Sequence, residues 1–241
     1  MKINAQLLLD HVNKASVGGI IDAIVLGKHF SFAVTDETKS IVSICKTGFG
    51  NDYPSDIKEN IGIYKIGLFN KAVQYAKDII FSGDNIDMDI TDDRLVFKNG
   101  KNVYSFKLSS PKAIQTVVGN PDEVLEKIGA APSSTIVFNS AIRSMCIKAI
   151  QAVDTEKCTF IVEPGNVTLL IGRSEEHNVI VDLGATKGKN KFKLVVKPEF
   201  LLKVLSVLSA DVDATLELRD SMPLIIDIEN YTFLIASMEI E

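Results

Sequence analysis

Two short stretches decide how this chain is organised: Ile61-Gly-Ile-Tyr-Lys-Ile66 in the first half and Lys191-Phe-Lys-Leu-Val-Val196 in the second. Each is an apolar strand pattern that leads directly into a segment with helical spacing. The stretch after the first of these helices, Asp87-Met-Asp-Ile90, corresponds to Asp213-Ala-Thr-Leu216 after the second. The same order of elements therefore occurs twice, at a separation that indicates a domain duplication rather than a short-period solenoid.

The rest of the chain extends this pattern in both directions. Helical spacing predicts helices at 4–15, 67–80, 139–152 and 197–210. Period-two or short apolar runs predict strands at 22–26, 29–35, 39–46, 61–66, 86–90, 95–98, 102–108, 158–162, 167–172, 178–183, 191–196, 215–218, 224–228 and 231–237. The first half begins with a helix, whereas the second half begins with a strand and then a helix; the remaining order agrees.

The repeat predicts an α+β fold of two tandem domains, residues 1–108 and 134–241. Between them, residues 109–133 contain Pro111, Pro121 and Pro132. Because proline cannot donate to a strand ladder, we expect this segment to be a surface connector. Its sequence from Asn120 predicts one capped helical turn that ends at Gly129.

Composition limits the functions open to the chain. With 46% hydrophobic and 24% charged residues, its 241 residues predict a folded protein. A net charge of −5 excludes a uniformly basic protein that coats nucleic acid. The sequence shows no apolar run long enough to span a bilayer and no signal-peptide layout, so we expect a cytoplasmic protein without a membrane partner. Cys45, Cys146 and Cys158 predict buried free thiols in a reducing compartment.

The charge is distributed unevenly. The four predicted helices contain seven basic and three acidic residues, a net charge of +4 (7 − 3), so the rest of the chain carries −9 (−5 − 4). The basic residues, which we predict to contact phosphates, are Lys14, Lys71, Lys77, Arg143, Lys148, Lys197 and Lys203. Such a stripe suits contact with phosphates without reading of bases, and no aromatic residues interleave with it for base stacking. The alternative is an ordinary solvated helix face, because lysine and arginine are good helix formers.

Signals for enzymatic or metal chemistry are weak. His11, His29 and His177 are not spaced with cysteines as zinc ligands are, and Glu175-Glu176-His177 lies in a predicted turn. The loop from Gly184 to Asn190 lacks the spacing and the following helix of a phosphate-binding loop. The acidic residues between Asp84 and Asp93 are expected to be solvated. We therefore predict no catalytic site, no metal and no cofactor.

These features together resemble the sliding clamps of DNA replication. The resemblance rests on the duplicated order of elements, the proline-broken connector and the ending Tyr231-Thr-Phe-Leu-Ile-Ala-Ser-Met-Glu-Ile-Glu241. The resemblance covers the whole chain. The chain is similar to the two-domain clamps, namely proliferating cell nuclear antigen and the clamps of tailed phages. The start, Met1-Lys-Ile3 with Gly18-Gly-Ile-Ile21 after the helix, looks more like the phage version, which implies a viral protein in the host cytoplasm.

The resemblance implies an architecture and a set of surfaces. Each domain would have antiparallel sheets with two helices on one face, and three chains would close a six-domain ring with the helices facing the hole. Strand 102–108 of one chain would pair with strand 178–183 of the next. The implied subunit-interface residues are Tyr104, Phe106, Val179 and Val181. Partner peptides would dock near the connector and the C-terminal end, and the implied residues are Ile114, Val117, Val118, Met238 and Ile240.

The resemblance implies a non-enzymatic function. A homotrimeric ring would encircle double-stranded DNA without sequence preference and tether a DNA polymerase as a processivity factor, after assembly by a clamp loader. Tethering raises the effective concentration of the polymerase at the primer end. The alternative is a monomeric or dimeric processivity factor that binds DNA directly through basic helix faces without a closed ring. An enzyme on a duplicated β scaffold would need a convergent nucleophile or metal site, and the sequence contains no such motif.

Overall fold

The computed structural model describes residues 2–17, 23–27, 30–36, 38–46, 60–91, 93–114, 121–129, 131–172 and 177–239. The chain divides into two compact units. Unit 1 comprises residues 1–37 and 43–127, and unit 2 comprises residues 38–42 and 128–241. The main division falls inside the segment predicted as the connector. Within the described ranges, no helix combines the length and apolar character needed to cross a membrane.

Unit 1 contains two main helices and a set of antiparallel strands. Its helices are α1 (Ala5–Ser16), α2 (Ile66–Tyr75), which continues into a π-helical turn (Ala76–Ile80), and α3 (Pro121–Ile128). Its strands are β1 (Lys2–Asn4), β2 (Ala23–Leu26), β3 (Phe32–Thr35), β4 (Ile41–Cys45), β5 (Ile61–Tyr64), β6 (Asn85–Ile90), β7 (Arg94–Asn99) and β8 (Asn102–Lys107). The division between the units passes through β4. One antiparallel sheet has the order β1-β6-β7-β8, and β2 pairs with β5.

Unit 2 repeats this plan. Its helices are α4 (Ser140–Ala152) and α5 (Pro198–Val207). Its strands are β9 (Ser134–Phe138), β10 (Cys158–Glu163), β11 (Asn166–Gly172), β12 (Asn178–Gly184), β13 (Phe192–Val196), β14 (Ala214–Leu218), β15 (Leu224–Ile228) and β16 (Tyr231–Ile235). They form the antiparallel arrays β9-β14-β15-β16 and β12-β11-β10-β13.

The sheet orders and the helix starts both show the duplication. The array β1-β6-β7-β8 in unit 1 has the same connectivity as β9-β14-β15-β16 in unit 2. The first helix of each unit begins after an asparagine whose side-chain oxygen accepts a backbone N–H: Asn4 from Leu7 (3.1 Å) and Asn139 from Ile142 (3.0 Å). These side chains satisfy amide groups that the helix leaves unpaired. The predicted α+β fold with duplicated units is confirmed.

Three predicted boundaries need correction. The first half begins with strand β1 rather than with a helix. The sequence does not indicate β1, because a strand of three residues is too short for a period to show. The predicted strand 29–35 begins only at Phe32, since Phe30 has φ of 57° and its N–H closes a turn onto the Gly27 carbonyl (3.0 Å). The predicted single turn in the connector is the two-turn helix α3; its predicted cap, Asn120, lies outside the described residues.

The second helices also differ from their predicted spans. The predicted helix 67–80 is α-helical only as far as Tyr75, and its last turn is a π-turn in which the Phe81 N–H reaches the Ala76 carbonyl (2.9 Å). The predicted helix 197–210 ends at Val207. Apolar spacing alone does not locate these ends, because Ile80 stays buried through the π-turn and continues the pattern.

Matching buried faces fix how the second helix of each unit is oriented. The buried residues of α2 are Ile66, Phe69, Ala72 and Val73. The buried residues of α5 are Pro198, Leu201, Val204 and Leu205, at the same spacing. Both helices therefore place the same apolar stripe inward, and their other positions face away from the core.

The prediction of buried free cysteines is confirmed: Cys45, Cys146 and Cys158 are all buried and unbridged. The core of unit 1 also contains a histidine. The Nε2–H of His11, which is fully buried, donates to the Phe30 carbonyl (2.7 Å), and its ring packs against Phe32. Burial lowers the pKa of His11 to about 4, and the nearby charge of Lys14 also lowers it. His11 is therefore a neutral core residue at pH 7.

We predict that His11 makes unit 1 sensitive to mild acid. Between pH 6.5 and about 4 the unfolded chain binds a proton that the folded chain does not, so the free energy of unfolding falls as the pH falls. The expected loss between pH 6.5 and 5 is about 2 kcal/mol, from about 1.4 kcal/mol per pH unit. Urea unfolding at both pH values measures it in the native protein and in His11→Gln. An equal loss in both would contradict the assignment.

Candidate nucleic-acid interface

The starts of α2 and α5 place lysines at equivalent positions in the two units. Lys65 precedes α2, and its carbonyl accepts the Phe69 N–H (3.0 Å). Lys197 precedes α5, and its carbonyl accepts the Leu201 N–H (3.2 Å). Both lysine side chains are exposed. Both units therefore have a lysine at the start of the second helix.

A second matched pair lies further along the same helices. Lys71 on α2 and Lys203 on α5 each follow the first lysine by six residues, and both are exposed. The helix rise of 1.5 Å per residue separates each pair by about 9 Å along the axis. Because the apolar stripes of α2 and α5 face inward at the same spacing, the four lysines occupy corresponding outward positions.

The two lysines at the start of and along α5 both lie near one aromatic ring. The Nζ atoms of Lys197 and Lys203 lie 5.5 and 5.7 Å from the centre of the Phe200 ring. Lys197 also lies 3.9 Å from a Glu199 carboxylate oxygen. The sequence-based expectation that no aromatic residue interleaves with these cations is therefore wrong for α5. The equivalent position on α2 is Leu68, so α2 has no aromatic ring at this position.

Two further predicted residues remain on the surface, with different electrostatic settings. Lys148 on α4 is exposed and forms no ion pair with any described residue. Lys77 in the π-turn is half-buried and pairs with Asp84 (2.9 Å), whose hydrogen bond raises the pKa of Lys77. The adjacent carboxylate balances the charge of Lys77, which reduces its attraction for phosphate.

The expectation that Lys14 and Arg143 lie on exposed faces is wrong. Lys14 is 7% exposed and Arg143 is 4% exposed. The Arg143 guanidinium donates to the carbonyls of Val212 (2.8 Å) and Ala210 (3.5 Å), so it joins α4 to the segment that follows α5. Burial lowers the pKa of Arg143. The spacing of polar residues along a helix does not distinguish an arginine exposed to solvent from one that donates hydrogen bonds to backbone carbonyls of a neighbouring segment.

Sequence reasoning missed Lys65. The predicted helix began at Gly67, which left Lys65 in the preceding strand pattern. In the structure, however, Lys65 has φ of 64° and stands at the start of α2. Alignment of the two repeats supplies the missing signal, because Lys65 occupies the position of Lys197.

The predicted subunit-interface residues lie on two end strands. Tyr104 and Phe106 belong to β8, the last strand of β1-β6-β7-β8, and Val179 and Val181 belong to β12, the first strand of β12-β11-β10-β13. Phe106 and Val181 are buried, and Tyr104 and Val179 are half-buried. In the part of the chain that the structure describes, no strand lies beyond β8 or beyond β12 in these arrays.

The predicted partner-binding residues are only partly described. Val117, Val118 and Ile240 lie outside the described residues. Ile114, in unit 1, is buried among Ala23 and Val25 rather than displayed on the surface. Met238, in unit 2, is half-buried, and its N–H donates to the Val195 carbonyl of β13 (2.8 Å). Ile114 thus contributes to the core, and Met238 lies along the edge of a sheet.

The weaker motifs do not assemble into a metal site among the described residues. No group of three or more histidine, cysteine or acidic side chains there is arranged to hold a metal ion. His177 is exposed, as expected for a turn; His29, Glu175 and Glu176 lie outside the described residues. The loop after Gly184 leads into strand β13, as predicted, rather than into the helix that a phosphate-binding loop requires.

Comparison with solved structures identifies the fold. The chain is similar over its whole length to A. fulgidus PCNA, solved with the C-terminal region of FEN-1 bound, at a TM-score of 0.74 and 14% identity over 98% of that chain. It is similar over 99% of its length to PCNA from Entamoeba histolytica, at a TM-score of 0.73 and 14% identity over 98% of that chain. No family model and no curated protein sequence matches the chain.

Bacterial clamps share the fold over part of their length. The beta chain of DNA polymerase III from Streptococcus pneumoniae matches the whole of this chain at a TM-score of 0.69 and 14% identity, with 64% of the bacterial chain covered. The chain therefore has the sliding-clamp fold, as the sequence predicted. With TM-scores of 0.69–0.74 at 14% identity, these similarities establish the fold alone.

We predict that Arg143 and Lys148, which lie on the same helix, differ sharply in their effect on stability. Arg143→Ala removes a charged donor from two carbonyls and should lower the free energy of unfolding by about 2–3 kcal/mol. Lys148→Ala changes only an exposed side chain, and its effect should stay within about 0.5 kcal/mol. Urea unfolding of both variants measures the difference. Equal stabilities would contradict the structural role of Arg143.

Proposed function

We propose that this protein is a sliding clamp: a non-enzymatic processivity factor that encircles duplex DNA and tethers a DNA polymerase. The observation that carries the proposal is the two matched pairs of exposed lysines, Lys65 with Lys197 and Lys71 with Lys203, at equivalent positions at the start of and along α2 and α5 in two units of clamp fold. A fold alone does not define a function. Here the duplicated surface chemistry adds a reason for the two helices to face the same kind of ligand.

The chemistry of this helical face suits duplex DNA. Lys65, Lys71, Lys197 and Lys203 are exposed, and Lys148 adds a cation on α4. Lysine is a flexible point charge that contacts phosphate oxygens without fixing a base sequence. A few such contacts hold DNA weakly, and weak contacts exchange readily as a ring slides. The overall charge of −5 opposes general adhesion to nucleic acid elsewhere on the surface.

A closed ring is favoured over direct binding by a monomer or dimer because the chain has two complementary sheet edges. Among the residues that the structure describes, strands β8 and β12 end their arrays, and open edges attract other strands. A head-to-tail contact between β8 of one chain and β12 of the next uses two different surfaces, so it closes into a ring when the rotation permits. We propose a homotrimer, with Tyr104 and Phe106 facing Val179 and Val181.

The remaining partners follow from the same proposal. A ring on DNA requires a loader to open it and a polymerase to tether, and peptides from these proteins would bind near the connector and the C-terminal segment around Met238. Ile114 is excluded as a direct contact by its burial against Ala23 and Val25. The protein would act where DNA is replicated, in the cytoplasm of a host cell if it is encoded by a phage.

Charge reversal tests the DNA-facing surface. Lys71, Lys148, Lys197 and Lys203 are all changed to Glu in one variant, and four exposed lysines outside the helices, Lys2, Lys98, Lys101 and Lys193, are changed in a matched control. We expect the helix variant to lose at least about tenfold in its weak low-salt affinity for a short linear duplex, because phosphate contacts dominate such binding and a ring cannot hold a short linear duplex by topology. Fluorescence anisotropy of a labelled duplex measures the affinity.

The control variant separates the effect of the lysines on the helices from the effect of a change in net charge. Both variants lose the same number of positive charges, so the control should keep most of the affinity and both should keep native circular dichroism. Equal losses in the two variants, or no loss in either, would contradict the assignment of the α2, α4 and α5 lysines to DNA.

A further inference from the structure

A lysine-rich segment at the start of β13 takes no part in the helical surface described above. Residues 185–193, called here the basic segment, follow β12 and contain four lysines and no acidic residue, in a chain whose net charge is −5. The lysines occupy every second position, and all four are exposed. They are Lys187, Lys189, Lys191 and Lys193. A local excess of positive charge on an acidic protein is a candidate surface for an anionic partner.

The backbone of the basic segment is held in place by buried contacts. The hydroxyl of Thr186, which is buried, lies 2.6 Å from the hydroxyl of Ser134 at the start of β9 and accepts the Gly188 N–H (3.2 Å). The Thr186 N–H donates to the Gly165 carbonyl at the turn between β10 and β11 (3.3 Å). Gly188 packs directly on the backbone, since a Cβ atom on it would lie 2.5 Å from the Ser133 carbonyl oxygen. The lysines on both sides of Gly188 therefore extend from a fixed backbone, which lowers the entropy lost when a partner binds.

Three of the four lysines have no ion-pair partner among the residues that the structure describes. Lys191 pairs with Glu163 at the end of β10 (2.8 Å), and the hydrogen bond between them raises the pKa of Lys191 and lowers the pKa of Glu163. Lys187, Lys189 and Lys193 form no ion pair with any residue of the described ranges. Three exposed positive charges are therefore available to an anionic ligand.

Strand geometry places Lys193 on the face of β13 that is turned away from helix α4. Leu194 and Val196 are buried in the core, and Val196 lies opposite Cys158 of β10. Burial, and then the proximity of Cys146 on α4, raise the pKa of Cys158 to about 12, so α4 packs on this face of the sheet, with α5 beside it. Side chains alternate between the two faces of a strand, so Lys193 lies on the other face. Lys193 and the lysines along α4 and α5 are therefore on opposite sides of this sheet.

We propose that the basic segment binds an acidic segment of another protein. Lysine ammonium groups attract carboxylates and phosphates alike, so the other residues of the segment decide between these ligands. Proteins hold single-stranded nucleic acid through aromatic rings that interleave with the cations, and Phe192, the aromatic residue of the basic segment, is buried. Duplex DNA in contact with the lysines of α4 and α5 would lie on the other side of the sheet from Lys193.

An extended peptide matches the spacing of these lysines. In an extended chain every second side chain lies on the same face, at a repeat of about 6.6 Å. A peptide in which acidic residues alternate with others can therefore bring carboxylates to Lys187, Lys189 and Lys193 in succession. This inference goes beyond the proposed clamp function and does not depend on it, since it concerns a different surface and a different class of partner.

Charge reversal in the basic segment tests the inference. The segment variant changes the unpaired lysines of the segment: Lys187→Glu, Lys189→Glu and Lys193→Glu. The control variant changes the same number of exposed lysines in unit 1: Lys2→Glu, Lys98→Glu and Lys101→Glu. Fluorescence anisotropy at low salt measures the affinity for a labelled peptide in which glutamate alternates with serine. We expect the segment variant to lose at least about tenfold in affinity and the control variant less than about twofold, because charges across an interface act where they face each other.

Labelled oligonucleotides distinguish a protein partner from a nucleic acid. A single-stranded oligonucleotide and a short duplex are titrated with the same proteins, and the segment variant should bind both as the native protein does. A loss of oligonucleotide binding in the segment variant that equals or exceeds its loss of peptide binding would overturn the inference in favour of nucleic acid. Equal peptide affinity in all three proteins, or no peptide binding by the native protein, would also overturn it. Failure of the clamp proposal would appear instead in the duplex binding of the helix variant.

Discussion

Burial of one apolar stripe on each helix against the strands of its unit is the constraint on which the rest of this structure depends. On α2 and α5 the buried positions have the same spacing, and this fixes the rotation of each helix about its axis. Once the rotation is fixed, the lysines at the helix starts and six residues later must face outward. The proposed DNA surface is therefore a consequence of core packing, repeated because the units are repeated.

The backbone of the sheets supplies the second constraint. Strand N–H and C=O groups need partners, and a sheet that ends in an open strand presents a row of them. Unit 2 meets this need at β16 with segment 38–42, while β8 and β12 end their arrays in the described part of the chain. The same geometry that joins strands within one unit can therefore join two copies. A ring would use hydrogen bonds that the fold already forms once.

Much of the fold was predictable from sequence because the helical spacing of 3.6 residues and the strand alternation of two residues are both clear in it. The strand and helix patterns on either side of Lys65 and Lys197 gave the repeat, and the exposure of Lys71 and Lys203 followed from their helical spacing. The burial of Arg143 was not predictable, because its partners are carbonyls of Ala210 and Val212, far away in sequence. Lys65 was missed because the apolar pattern placed it in the strand at 61–66, whereas its φ of 64° places it at the junction between strand and helix.

The proposed ring would hold DNA by topology rather than by affinity. The most direct test loads the protein on a nicked circular plasmid and compares its retention before and after the plasmid is cut once. A ring should stay on the circle in moderate salt and should be released by a single cut, because it slides off a free end. Equal retention on circular and cut DNA, with a steep loss as salt rises, would contradict the ring and indicate direct binding to phosphates.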